Sequence, residues 1–143
     1  DSFPRGQFSI SAEGSRIAVL AGSGTTRQVY VASINRDSSG MPISFGAPIE
    51  VVKASDSPRS ISWSDENTLA ALHTLSDSTT GATLYTIGGT SRDLGSLNSG
   101  RSLEARLSNA AIYAVDATHS LFAYKNISWS QIASNVMALH FAN

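Results

Sequence analysis

The 143-residue chain has no cysteine. Disulfides, thiolate metal sites and cysteine nucleophiles are excluded. Charge is also scarce: Asp, Glu, Lys and Arg make up 15% of the residues, and the formal net charge is −1. With no Lys/Arg cluster to neutralise phosphates, nucleic acid is not an expected partner. No basic amphipathic stretch is present to hold a membrane surface. No apolar run approaches the ~20 residues of a membrane-spanning helix. The first residues, "DSFPRG", carry neither an initiating Met nor a leader, so any targeting or anchoring signal is expected to lie outside these residues. What remains is a chain with 41% hydrophobic residues, rich in Ser, Thr, Ala and Gly. That is too apolar and too weakly charged for a disordered segment, and long enough for about one domain with a real core.

The clearest feature is an internal repeat. "SISAEGSRIAVL" (Ser9–Leu20) returns as "SISWSDENTLAAL" (Ser60–Leu72). Aligned on Ser11, Ser64 and Ser108, each serine follows an apolar residue (Ile10, Trp63, Leu107). A polar or small turn comes next, then a short apolar run from Ile17, Leu69 or Ile112. An alternating strand follows each run: Gln28–Ile34, Thr83–Gly89 and Leu121–Asn126. A fourth short strand closes each unit: Ala47–Val52, Arg92–Leu97 and Ser130–Ala133. The serines lie 53 and then 44 residues apart.

The runs are short, β-branched or aromatic, and bounded by Gly, Asn, Asp and Ser, which is the signature of strands. Only Ser102–Val115 also fits a helix, and the repeat alignment assigns it to strands. The second strand of each unit is apolar on consecutive positions, as a strand covered on both faces must be. Four-stranded sheets buried on both faces and repeated every ~40–50 residues point to β-propeller blades. The expected fold is all-β: three four-stranded antiparallel blades, at about residues 7–54, 55–98 and 99–143. Three blades do not make a ring, since propellers close with about four to eight. The reading is therefore a partial propeller, completed by further chain or by self-association, as in a homodimer of six blades. The tail Asn135–Asn143 reads as an extra strand that starts or completes a blade.

No catalytic constellation stands out. His73, His119 and His140 are far apart and in no metal-ligand spacing, so structural or solvent roles are expected. No G-x-S-x-G elbow surrounds any serine, and Ser11, Ser64 and Ser108 read as turn-capping residues. Gly22–Arg27 lacks the Lys of a phosphate loop and reads as a hairpin connection. Asp65 and Glu66 are adjacent in a tight turn, which sets them apart in direction and favours exposed carboxylates over a catalytic pair. Asn126-Ile-Ser128 fits a glycosylation sequon, a pattern common by chance. Trp63, at an inward repeat position, is expected in the core; Trp129 is either core or an exposed stacking residue. The polar loops Asn35–Gly46 and Leu75–Ala82 are the places where a partner would bind, or plain connectors. No catalytic, cofactor or metal residue is assigned, no partner surface is identified, and no cofactor is expected.

The turns "SISAEGSRIAVL" and "ISWSDENTLAAL" resemble the S-P-D-G-x-x-I-A turn of TolB-like propellers, with Ala12 or Asp65 in place of the proline. A more specific resemblance comes from "RQVYVASINRDSSGMPISFGAPIEVV" followed by "ISWSDENTLAAL". The strand Val29–Ala32, then Arg36, Gly40 and Pro42, and the turn opened by Trp63 and Asp65, resemble the C-terminal propeller of the actinobacterial lipoprotein LpqB family. The resemblance covers about the first ninety residues well. It implies an exported protein, lipid-anchored outside the membrane through an N-terminal Cys and preceded by a GerMN-type domain, neither of which lies in these residues. It further implies a non-enzymatic interaction module acting on the extracellular domain of a two-component sensor kinase, with membrane attachment only through an anchor outside this chain. The alternatives are a TolB-like envelope assembly propeller and a propeller that gates a hydrolase.

Overall fold

A computed structural model describes residues 7–76, 79–106 and 111–137. It contains thirteen strands in three antiparallel sheets. The first blade holds β1 (Gln7–Ile10), β2 (Arg16–Ala21), β3 (Gln28–Arg36), β4 (Pro42–Phe45) and β5 (Ile49–Val52). The second holds β6 (Pro58–Trp63), β7 (Thr68–Ser76), β8 (Thr79–Thr86) and β9 (Ser91–Asn98). The third holds β10 (Gly100–Arg106), β11 (Ala111–Asp116), β12 (Leu121–Lys125) and β13 (Ser128–Ala133). Each sheet is a meander with hairpin neighbours, except that β3 pairs both β4 and β5. The fold is all-β and open, in keeping with a partial β-propeller. The stretch that also fits a helix, Ser102–Val115, contributes to β10 and β11 on either side of residues 107–110, which lie outside the described residues.

Register assigns each side chain to one of two blade faces, because successive residues of a strand point to opposite sides. In the first blade Leu20 pairs with Val29 and Ala18 with Val31. All four are buried with Ile61, Trp63, Leu69 and Ala71 of the second blade. In the second blade the alternate residues Ala70, Leu72 and Ala82 face the other way. They are buried with Leu103, Ala105, Ile112 and Ala114 of the third blade. This two-sided demand is why β7 is apolar on consecutive positions while surface strands alternate. The small Ala70, Ala71 and Ala114 let the sheets approach closely.

The inner strands β1, β6 and β10 are the edges of their sheets and leave N–H groups without a ladder partner. Side chains of the neighbouring blade supply the missing acceptors. Gln7 Oε1 accepts from Ile61 N (3.2 Å). Ser60 Oγ accepts from Leu103 N (3.1 Å) and Ser62 Oγ from Ala105 N (3.0 Å). The serines "S-I-S" of the repeat are thus stitches between blades as well as strand residues.

Of the turn serines, Ser11 caps its turn through its side chain as expected. Ser11 is buried, its Oγ accepts from Arg16 N and its own N–H donates to Arg16 O. Ser64 is buried and donates its N–H to Thr68 O. Ser108 and Leu107 lie outside the described residues. Gly22–Arg27 forms a short 3-10 turn (Gly24–Thr26) joining β2 to β3.

The polar loop expected at Asn35–Gly46 is instead structured. β3 runs on to Arg36 and β4 returns against it, Asn35 facing Ser44 and Arg36 facing Pro42. Polar residues at alternate positions masked a strand that has no blade on either side to demand apolar side chains. The same holds in part for Leu75–Ala82: β7 extends to Ser76 and β8 begins at Thr79, around two residues outside the described set. The expected tail strand falls mostly beyond Met137. Within the described part, Val136 N donates to His119 O (2.8 Å) and no strand has begun.

Candidate functional site

Two surface features on the first two blades differ from ordinary connectors. The first is the hairpin of β3 and β4. Its tip is built by Asp37, whose Oδ1 accepts from Ser39 N, Ser39 Oγ and Met41 N at 2.7–2.9 Å. The Ser39 hydroxyl, followed by the Met41 amide, holds this exposed carboxyl below the usual Asp range. Arg36 braces the hairpin from the side, donating to Gly40 O (2.9 Å) and to Gly14 O (2.8 Å) of the β1–β2 turn. Gly14 has a φ of +68°, and a Cβ there would meet Arg36 Nη2 at 2.6 Å, so this glycine both makes the turn and admits the guanidinium. On this rigid base Met41, Ile43 and Phe45 are 62%, 65% and 63% exposed. Three large apolar side chains thus stand in solvent on a braced hairpin, an exposed apolar cluster of the kind that marks contact sites in other proteins.

The second feature is a polar cleft of about 510 Å³ on the blade-one side of the second sheet. His73, Thr83, Tyr85 and Asp93 come from three adjacent strands, and Asp56 comes from the turn that joins the two blades. His73 sits inside β7, paired with Gly81. A Cβ at Gly81 would lie 2.6 Å from His73 Cε1, so the glycine makes the space in which the imidazole rests. His73 Nε2 meets Thr83 Oγ1 at 2.9 Å. Burial pushes the imidazole below its ordinary pKa, against the opposing pull of Asp56 and Asp93. Burial, then Asp56, raises the Tyr85 phenol. The cleft therefore brings together an imidazole and a phenol, each biased by burial toward its neutral form, beside the side chains of Asp56 and Asp93. A second cleft of about 430 Å³ adjoins it, between β5 and the β8–β9 turn, and shares Tyr85 and Ser91.

The other residues singled out by sequence are dispersed. His119 lies in the β11–β12 turn with a φ of +62°, and His140 lies outside the described residues. Asn126 lies in the exposed β12–β13 turn and Ser128, also exposed, opens β13. Trp63 is 2% exposed and its indole N–H donates to Ser9 O (2.8 Å) of the preceding blade, as a core position should. Trp129 is half-buried, donates to Leu94 O (2.9 Å) of the second blade, and stacks at a tilt on Tyr124 with ring centroids 5.3 Å apart. Among the described residues no three His, Asp or Glu side chains converge as metal ligands. No described helix is long and apolar enough to cross a membrane.

Glu66 differs from its expected role as one of two free carboxylates. It reaches across to the first blade, accepting from Glu13 N (2.6 Å) and Ser15 Oγ (2.7 Å). Arg16 Nη1 reaches back to Glu66 O (2.6 Å) and to Asn67 Oδ1. Partial desolvation alone would raise the Glu66 carboxyl. The amide of Glu13, the hydroxyls of Ser15 and Ser11, and the charge of Arg16 together hold it lower. Asp65 instead caps its own turn through Asn67 N (2.8 Å). Nothing local in "SDENT" announces the clamp; the signal was the matching glutamate two residues after Ser11.

No curated protein and no solved structure matches the chain significantly. The family described as the lipoprotein LpqB beta-propeller domain matches residues 6–138, a span that takes in all three blades. With that match over nearly the whole chain, on an open set of propeller-type sheets, this chain belongs to the lipoprotein LpqB beta-propeller domain family.

Proposed function

We propose that the chain is a non-catalytic protein-interaction module of an extracytoplasmic, envelope-associated LpqB-like lipoprotein, and that the β3–β4 hairpin is its contact element. The observation that carries this reading is the braced tip: a hairpin locked by Asp37 and Arg36 that holds Met41, Ile43 and Phe45 in solvent. Such a tip contributes nothing to its own core. It offers rigid apolar anchors whose ordering cost is already met by the fold, the condition under which a small apolar patch binds well. The partner suggested by the family resemblance is the extracellular domain of a two-component sensor kinase. Titration calorimetry between this chain and that domain tests the reading. Binding that is lost in the double variant Ile43→Ser, Phe45→Ser, with an unchanged melting temperature, supports it. Absence of binding by the unaltered chain removes the kinase as partner, and binding that survives the double variant removes the hairpin.

A further inference from the structure

The face that the second blade turns toward the first changes character along its strands. Strand pairing sets Leu69 opposite Tyr85, Ala71 opposite Thr83 and His73 opposite Gly81. On the next strand Ser91 stands opposite Tyr85, Asp93 opposite Thr83 and Ser96 opposite Gly81. Leu69 and Ala71 are buried with Trp63 against the first blade. Beyond them the face turns polar and small, although it still looks toward a neighbouring blade. The third blade shows how the same positions close a gap. There Phe122, opposite Ala114, stands where Thr83 stands opposite Ala71. Trp129, opposite Tyr124, stands where Ser91 stands opposite Tyr85. Phe122, Tyr124 and Trp129 all pack on the core shared with the second blade.

What this leaves in the second blade is a groove. The cleft of about 510 Å³ around His73 meets the cleft of about 430 Å³ beside it at Tyr85 and Ser91. Its lining residues all lie between Ile49 and Ser96, so both blades that bound it are present. One end holds Asp56, in the turn that joins the blades, and Asp93 of β9. Both stand close enough to His73 to act on its charge. The other end, between β5 and the β8–β9 turn, is walled by Ile49, Val51 and Ile87. Among the described residues no Lys or Arg lines either cleft, so no basic side chain of the wall answers Asp56 and Asp93. The groove is acidic at one end and apolar at the other, with an aromatic ring between.

We propose that this groove binds an aliphatic amine, its ammonium group held by Asp56 and Asp93 and its methylenes laid past Tyr85 toward Ile49, Val51 and Ile87. An ammonium donates charge-assisted hydrogen bonds to carboxylates and is attracted to an aromatic face. The methylenes gain by leaving water against the apolar wall. Among the described residues no three His, Asp or Glu side chains converge as metal ligands, which favours an organic cation over a bare metal ion. A neutral ligand would leave the two acidic side chains unanswered. The same ammonium is carried by free aliphatic amines and by the side chain of lysine.

The test is calorimetric titration of the full 143-residue chain with cadaverine, with Nα-acetyl-lysine amide and with the uncharged diol of cadaverine's length. Saturable binding of an amine and none of the diol is expected. The tighter of the two amines tells whether the ligand is a free amine or a lysine side chain. Asp93 Oδ1 accepts from Gly95 N (2.8 Å), a contact that Asp93→Asn can keep through its amide oxygen. That variant and Asp56→Asn should each weaken binding about tenfold. Ser91→Trp, which copies Trp129 of the third blade, should fill the groove and abolish binding while the β-sheet circular dichroism persists. If it fails to fold, the two Asp variants decide. Glu13→Gln removes an exposed acid on the β1–β2 turn, outside the groove, and should leave the affinity unchanged. Failure of both amines to saturate, equal binding of the diol, or an affinity indifferent to both Asp variants would overturn the amine site.

Discussion

The two blade interfaces are fastened at different places. Between the first and second blades the fastening is central: Trp63 on the inner strand reaches Ser9 O, Gln7 takes the Ile61 amide, and Glu66 grips the neighbouring turn. Toward the rim this interface opens into the two clefts bounded by β5, β8 and β9. Between the second and third blades the inner strands are laced by Ser60 and Ser62, while the large anchor has moved outward. Trp129, on the outermost strand β13, reaches Leu94 O on β9 and shuts the rim. A tryptophan at the hub leaves a groove outside; a tryptophan at the rim fills it. The polar cleft around His73 stays open because Ser91 of β9, paired with Tyr85, stands where Trp129 of β13, paired with Tyr124, stands in the third blade.

This contrast can be broken at graded positions. Removing the hub anchor should have the largest effect: Trp63→Ala is expected to cost roughly 3–5 kcal/mol in urea unfolding, because it leaves a large void between two sheets. An unchanged transition would reject its place between the blades. Trp129→Ala removes a half-buried ring and one hydrogen bond, and about 2 kcal/mol is expected. Were the two losses equal, the distinction between hub and rim would fail. Glu66→Gln should cost roughly 1 kcal/mol, since the clamp is partly solvated.

Acidity sharpens the same point. The folded Glu66 carboxyl titrates below the ordinary 4.5, so its stabilisation is present above that value and is lost as pH falls through it. His73 titrates below its ordinary 6.5 in the fold. The unfolded chain takes up that proton first, so stability should already decline as pH drops beneath 6.5. Thermal melts across this range should show both declines, the lower one reduced in the Glu66→Gln variant and kept in part by the lowered carboxyls of Asp37 and Asp116. The smallest effect is expected at the hairpin, where Ile43→Ser with Phe45→Ser should change stability by no more than about 0.5 kcal/mol.

Much of the fold was legible because burial on both faces leaves a mark that one strand cannot hide. Consecutive apolar residues in "LAAL" and the recurrent serine turn identify β7, its counterparts and their order. Trp63 was legible for the same reason, standing where Ile10 and Leu107 stand. The hairpin was not, because a strand pair with solvent on both sides carries no consecutive apolar run, and its polar residues among Met41, Ile43 and Phe45 read as a loop. Trp129 stayed ambiguous because its partner, Leu94 O, is a backbone atom on another blade and leaves no trace in side-chain pattern. Glu66 was hidden for a similar reason: one acceptor contact is to an amide of Glu13, 53 residues away. The cleft depends on Gly81 lying opposite His73, a register fact that appears only once the strands are paired.

Central to the whole account is that β6 and β10 lie side by side as the inner strands of successive blades, joined by serine hydroxyls. Amide hydrogen exchange at Leu103 and Ala105 tests this most directly, since their N–H groups donate to Ser60 Oγ and Ser62 Oγ. The account predicts slow exchange at both amides in the unaltered chain. It also predicts selective acceleration there in the Ser60→Ala, Ser62→Ala variant, with the β10–β11 ladder still protected. Fast exchange at Leu103 and Ala105 in the unaltered chain, or indifference to the double substitution, would contradict the stacking of the blades.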